Sequence, residues 1–204
     1  MNEDIRVIDS LLPKVYQDAL EETITGELFE WSYAKDVVWQ HYHDKIKQVN
    51  DGLNHILHVP NFEENESEHW PLIKPMLYYI EEQSGLKINK LLRARVGLLQ
   101  RAYPTDLLWN NEHVDNTFPH YTAIYYVNDS DGPTYIFDQR ITDVPHPNKT
   151  SEQIIKYVNN TEFTPALASE PKKGKCVIFD GQRFHSSSKP KNHSNRIVIS
   201  FNWK

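Results

Sequence analysis

His113-Val114-Asp115, followed far downstream by Phe184-His185 and then Arg196, is where this chain concentrates residues able to do chemistry. Two imidazoles and one carboxylate are the ligand set that holds non-haem Fe(II) on one side and leaves coordination positions open for a co-substrate and O₂. His113 and Asp115 are two residues apart, so on an extended strand both side chains project to the same face and can grip one ion. His185 must then arrive from a distant strand. Alone, His-x-Asp is a short pattern that a solvated strand end also produces. The second histidine, placed just beyond an apolar run ending Phe179-Asp180, turns the pattern into a candidate centre.

Arg196 opens the run Arg196-Ile197-Val198-Ile199-Ser200-Phe201-Asn202-Trp203. Alternation puts Arg196, Val198 and Ser200 on one face and Ile197, Ile199, Phe201 and Trp203 on the other. If the first face lines a barrel interior, a guanidinium buried there requires an anion, because an unpaired buried charge is costly. A dicarboxylate co-substrate would need its counter-charge at this position. The structural alternative is a strand-edge arginine paired with a native Asp or Glu. His41, His43, His55, His58 and His69 lie in the first half, and His120, His146 and His193 in or beside turns. These read as surface or structural residues. No His-Glu-x-x-His or Cys-rich spacing points to a zinc protease or zinc finger.

The elements that must position these residues change character along the chain. The 204 residues fit a single domain with a sizeable core. The first part, 1–87, reads as mainly helical support. One helix is expected from Ser10-Pro13 to about Thr25, with Leu12, Val15, Tyr16, Ala19, Leu20 and Ile24 at helical spacing. A second runs from Trp70 to Gln83 and stops at Ser84-Gly85. From 88 to 204 the period becomes two. Arg93, Arg95 and Gly97 alternate with Leu92, Ala94, Val96 and Leu98. Short strands follow at Glu112–Asn116, Tyr121–Val127, Thr134–Phe137, Lys175–Asp180 and Asn195–Trp203, separated by Asn, Asp, Gly and Pro turns. One helix, from Thr150 with Gln153 as a capping box to Val158, interrupts them. Helices followed by many short strands predict an α+β jelly-roll sheet pair or barrel with helices on one side.

Bulk properties narrow the partners. Net charge is −6, so duplex nucleic acid is not an expected partner without a local basic patch. The single cysteine, Cys176, excludes an internal disulfide and lies in the apolar run Cys176-Val177-Ile178-Phe179, where a structural thiol is expected. No apolar run approaches membrane-spanning length and no basic-then-apolar leader opens the sequence, which together predict a cytoplasmic protein.

Ala102-Tyr103-Pro104, His113-Val114-Asp115-Asn116, Ile124-Tyr125-Tyr126-Val127-Asn128, His185 and Arg196, in that order, resemble the Fe(II)- and 2-oxoglutarate-dependent dioxygenases, most closely the prolyl hydroxylases. The resemblance covers Ile88 to Trp203. It implies a double-stranded β-helix (cupin-like barrel) with N-terminal supporting helices, and Fe(II), 2-oxoglutarate and O₂ as the reacting set, with ascorbate as a supporting reductant. It implies iron ligation by His113, Asp115 and His185. Arg196 and Tyr126 are similar to the residues that bind the distal carboxylate of 2-oxoglutarate, and Tyr103 to a tyrosine lining the co-substrate pocket. The implied reaction hydroxylates a peptide, with peptidyl proline first, or a small molecule, and releases succinate and CO₂. Two departures stand out. Val198 occupies the position where relatives with an Arg-x-Ser pattern carry a hydroxyl, and His185-Ser186-Ser187-Ser188-Lys189-Pro190 only loosely follows the His-x-Val-x-Pro run of prolyl hydroxylases. Two rivals share the expected fold: a cupin-type metalloenzyme without 2-oxoglutarate, and a non-catalytic jelly-roll binding module.

Overall fold

The structure is a computed structural model that describes residues 4–35, 51–60, 66–101, 108–145 and 149–204. In chain order the first half supplies β1 (Ile5–Ile8), α1 (Lys14–Thr25), β2 (Ser32–Ala34), β3 (Gly52–His58), α2 (Trp70–Ile73) and α3 (Met76–Ser84). The second half supplies β4 (Leu91–Gln100), β5 (Tyr121–Tyr126), β6 (Thr134–Arg140), α4 (Ser151–Asn159), β7 (Pro165–Ser169), β8 (Cys176–Asp180), β9 (Arg183–Ser187) and β10 (Asn195–Trp203). A seven-stranded sheet in the order β1-β8-β5-β10-β4-β3-β2 faces a three-stranded sheet in the order β7-β6-β9, with antiparallel pairing throughout. This is the double-stranded β-helix expected from the sequence.

Period-two alternation decides what each face meets. Ala94 and Val96 of β4, Ala123 and Tyr125 of β5, Cys176 and Ile178 of β8, and Ile197, Ile199, Phe201 and Trp203 of β10 form one buried layer with Leu20, Ile24, Trp70, Ile73, Met76 and Ile80 of the helices. The opposite faces of the same strands turn toward the small sheet, where Ile124, Tyr126, Val177 and Phe179 pack with Ile136. A third cluster lies outside the small sheet, where Phe137 and Phe184 pack with Ile154 and Val158 of α4. The Thr150 hydroxyl and the Gln153 side chain close the capping box that starts this helix.

The first half is less helical than its sequence implies. β1, β2 and β3 all join the large sheet, so residues 1–87 are not only a helical support but also supply both of its edges. The expected Trp70–Gln83 helix is two helices, with the break at Lys74-Pro75. A proline inside a helix lacks the donor for the preceding turn and its ring crowds a carbonyl there. Gly85 ends α3 at φ 69°, a left-handed conformation that favours glycine. The expected strand at Glu112–Asn116 is a single bridge, His113 to His185, rather than a strand.

Candidate metal centre and co-substrate pocket

That bridge brings the two histidines together. The His113 N–H donates to the His185 carbonyl at 3.0 Å and the His185 N–H to the His113 carbonyl at 2.9 Å. The imidazole ring centroids are 4.3 Å apart. Asp115, two residues further on, turns into the same space, with His185 Nε2 3.8 Å from its Oδ2. One ligand atom from each of His113, Asp115 and His185 lies within 4.8 Å of the others, the one such group of His, Cys, Asp or Glu among the described residues.

The neighbours fix the state of each donor. His113 Nδ1 faces the Asn111 carbonyl at 3.1 Å and His185 Nδ1 faces the Arg183 carbonyl at 3.4 Å. A carbonyl can only accept, so the proton sits on Nδ1 and each Nε2 keeps a lone pair for an ion. Burial, and next the charge of the other imidazole, holds His113 down to about 3, and burial lowers His185 in the same direction. Burial would raise Asp115, but the cations around it, Arg93 first, hold its carboxyl well below the usual range. Two neutral imidazoles beside one carboxylate are what a divalent ion of intermediate softness requires.

Asp115 is oriented from behind. Arg93 Nη2 donates to Oδ1 at 2.8 Å and Asn202 Nδ2 to Oδ2 at 2.8 Å, while Arg93 Nε donates to Asn202 Oδ1 at 3.1 Å. Each carboxylate oxygen accepts more than one partner, so these bonds leave room for an ion. The pair comes from the register Arg93↔Asn202 between β4 and β10.

The cavity in front of the three donors is walled by Leu53, Leu98, Ile124 and Val198 and reaches Arg95, Thr134, Arg196 and Ser200. Arg196 does line it from the inner face of β10, at 3 % exposure. Its Nε donates to the Gly132 carbonyl at 2.7 Å and its Nη2 to Thr134 Oγ1 at 2.6 Å. All these partners are neutral. Tyr126 is fully buried beside this group and does not line the cavity. Its ring lies 5.6 Å from the Arg196 guanidinium carbon, and its hydroxyl lies 2.8 Å from Thr134 Oγ1 and 3.1 Å from the Ser169 carbonyl. Tyr103 lies outside the described residues.

Sequence reasoning missed four residues of this site: Arg93, Arg95, Thr134 and Asn202. For three of them a signal exists. Arg93 and Arg95 share the phase of Gly97 on β4, and Asn202 continues the Arg196-Val198-Ser200 face, so all lie on the inner side. Thr134 follows a turn and its facing depends on the pairing of β6, which the sequence does not reveal.

A family model described as "Putative 2OG-Fe(II) oxygenase" matches residues 109–202, the stretch that holds all three donors and Arg196. No curated protein matches. Among solved structures, the α-ketoglutarate-dependent epimerase SnoN from nogalamycin biosynthesis superposes with a TM-score of 0.64 at 11 % identity, over 98 % of this chain and 78 % of that one. A 2OG-Fe(II) oxygenase family oxidoreductase from Burkholderia pseudomallei gives 0.62 at 8 % identity, over 100 % and 86 %. A prolyl-4-hydroxylase from Pseudomonas putida gives 0.54 at 12 % identity, over 100 % and 93 %. At these identities the likeness is one of fold. Over residues 109–202, somewhat under half of its length, the chain is similar to the 2OG-Fe(II) oxygenase family.

Proposed function

We propose that this chain is a 2-oxoglutarate-dependent oxygenase that holds Fe(II) through His113, Asp115 and His185. The observation that carries the reading is the convergence of the three donors at one end of a cavity whose other end holds an enclosed arginine with only neutral partners. Fe(II) bound there would supply the activation of O₂ that oxidatively decarboxylates 2-oxoglutarate to succinate and CO₂ and oxidises a prime substrate.

The chain's own residues do the rest. Arg196 takes the distal carboxylate of 2-oxoglutarate. The Thr134 hydroxyl accepts from Arg196, and when the Tyr126 hydroxyl donates to it as well its own proton turns to the same carboxylate. Tyr126 braces Thr134 from behind. Val198 contributes no hydroxyl, so Thr134 fills from the small sheet the role that relatives with an Arg-x-Ser pattern give to β10. The apolar walls keep water from the reacting end and strengthen the charge pairing.

The fold neighbours include an epimerase and a prolyl hydroxylase, so the prime substrate is open between a peptide, peptidyl proline first, and a small molecule. The test is succinate release from 2-oxoglutarate with Fe(II) and ascorbate under air, for wild type and His185→Ala. Release by wild type alone supports the reading. Metal binding without 2-oxoglutarate binding would favour a cupin-type metalloenzyme, and binding of neither a non-catalytic module.

A further inference from the structure

We infer that the prime substrate carries an N–H and a C=O side by side, as an extended peptide residue or a primary carboxamide does, and docks them over Gly97 against the side chain of Asn54. The inference rests on the proposed reading of the site and deepens it by naming what the substrate must present. Gly97 of β4 stands between Asn54 of β3 and Val198 of β10 in one row across the large sheet. All three line the cavity that holds the metal donors and Arg196. Neither backbone conformation nor packing requires a glycine here. Its φ is not positive, and among the described residues a Cβ added to it would meet nothing nearer than Val198 Cγ2, at 3.8 Å. Glycine inside a strand weakens the strand and often marks a place where a ligand approaches the backbone closely. The missing side chain leaves a niche in the cavity wall, with Val198 on one side and Asn54 on the other, about 10 Å apart at two strand spacings.

The co-substrate leaves this niche open. Asn202 holds Asp115, and Arg196 takes the distal carboxylate; both stand on β10, so a molecule spanning the two ends follows that strand. Gly97 and Asn54 lie one and two strands to its side. Asn54 is half-buried, and among the described residues its side chain has no hydrogen-bond partner. Its carboxamide offers an acceptor oxygen beside a donor nitrogen. A carboxylate or phosphate would meet the donor but set an oxygen against Asn54 Oδ1, and a hydroxyl has one proton to give and spans only one of the two atoms. An extended peptide residue turns its own N–H and C=O to the same side, and a primary carboxamide does so within one group. Either matches both atoms of Asn54 in one contact, while Val198 packs on whatever apolar part lies beyond.

The test uses anaerobic protein loaded with Mn(II) and saturated with 2-oxoglutarate, and reads the broadening of probe signals by Mn(II) in proton NMR. One arm uses N-acetylalanine N-methylamide, a single blocked residue, and the other propionamide. Each has an ester partner in which oxygen replaces the N–H that would face Asn54. The expected result in wild type is broadening of at least one amide probe, about threefold or more stronger than that of its ester, as the loss of one hydrogen bond implies. Asn54→Leu, which keeps the size, should abolish that preference, and Gly97→Val should exclude the amide. Both variants should hold 2-oxoglutarate within about threefold of wild type, which also shows that they fold. The preferred arm tells a peptide from a carboxamide. No broadening of either amide, equal broadening of amide and ester, a preference that survives Asn54→Leu, or a loss of 2-oxoglutarate affinity equal to the loss of amide binding would overturn the inference. The comparison of amide with ester in wild type needs no variant. Absence of 2-oxoglutarate binding in wild type, read by calorimetry before any probe is added, would instead overturn the site reading beneath it.

Discussion

Thr134 joins Arg196 to Tyr126 through one hydroxyl, with its oxygen 2.6 Å from Arg196 Nη2 and 2.8 Å from the Tyr126 hydroxyl. Thr134→Val keeps the shape and removes that hydroxyl, leaving an N–H of the enclosed arginine without its acceptor. The expected effect is a loss of about tenfold in 2-oxoglutarate affinity with metal affinity unchanged, since one hydrogen bond to a charged group contributes about 1.5 kcal/mol or more. Titration calorimetry reads both affinities, and equal weakening of both would show that Thr134 supports the fold rather than the co-substrate. At this scale the sequence reveals types and spacing but not partners. The convergence of His113, Asp115 and His185 and the enclosure of Arg196 were legible because the proposed metal ligation and a buried cation each demand particular residue types. Thr134 was not, because threonine in a strand is ordinary and only its position opposite β10 gives it a role.

Gly132 sits in the turn before β6, and its carbonyl accepts from Arg196 Nε. A Cβ there would stand 2.4 Å from the Ser188 carbonyl oxygen and 3.0 Å from the Pro190 nitrogen, both backbone atoms that cannot rotate away. Gly132→Ala should therefore destabilise the protein by about 2 kcal/mol by the cost of overpacking and disturb the arginine behind it. Thermal unfolding with and without 2-oxoglutarate checks this; an unchanged midpoint would mean the turn moves freely. The elements that were legible are those whose outer faces are apolar. β10 shows its alternation openly, whereas β9 hides it, because Arg183, His185 and Ser186 are buried polar residues in a short strand. β3 carries Asn54, His55 and His58 and reads as a polar stretch, yet its ladder to β4 extends the large sheet and brings Leu53 and Asn54 to the cavity. Register across a sheet depends on residues distant in the chain, which local pattern cannot supply.

Across the whole molecule, Asp4 ties β1 at one edge of the large sheet to the small sheet. Its Oδ2 accepts from Arg183 Nε at 2.9 Å and its Oδ1 from Arg183 Nη2 at 3.0 Å, and Arg140 reaches the same carboxylate. Arg183 is 5 % exposed, so Asp4→Ala leaves an enclosed cation short of its main partner and should cost about 2 kcal/mol, measurable by urea unfolding. Arg183 Nη1 also donates to the Phe137 carbonyl at 2.8 Å and lies 3.7 Å from Asp138 Oδ1, and a change near zero would mean these two suffice.

The buried imidazoles also set a pH dependence for the metal-free protein. An unfolded histidine takes a proton near 6.5, while folded His113 resists it to about 3 because of burial and His185. Below 6.5 the unfolded state binds more protons, so stability is full above that pH and falls on acidification, by up to about 1.4 kcal/mol per pH unit for such a group. His185 acts in the same direction. The melting midpoint should drop between pH 7.5 and pH 5.5, and a flat profile would show that the imidazoles are not enclosed as described.

Anomalous diffraction from crystals soaked in Mn(II) tests most directly whether three separated side chains share one ion. A single strong peak about 2 Å from Nε2 of His113, Nε2 of His185 and a carboxylate oxygen of Asp115 is the predicted result. A saturated soak with no peak between these residues, or with the ion bound elsewhere, would contradict it.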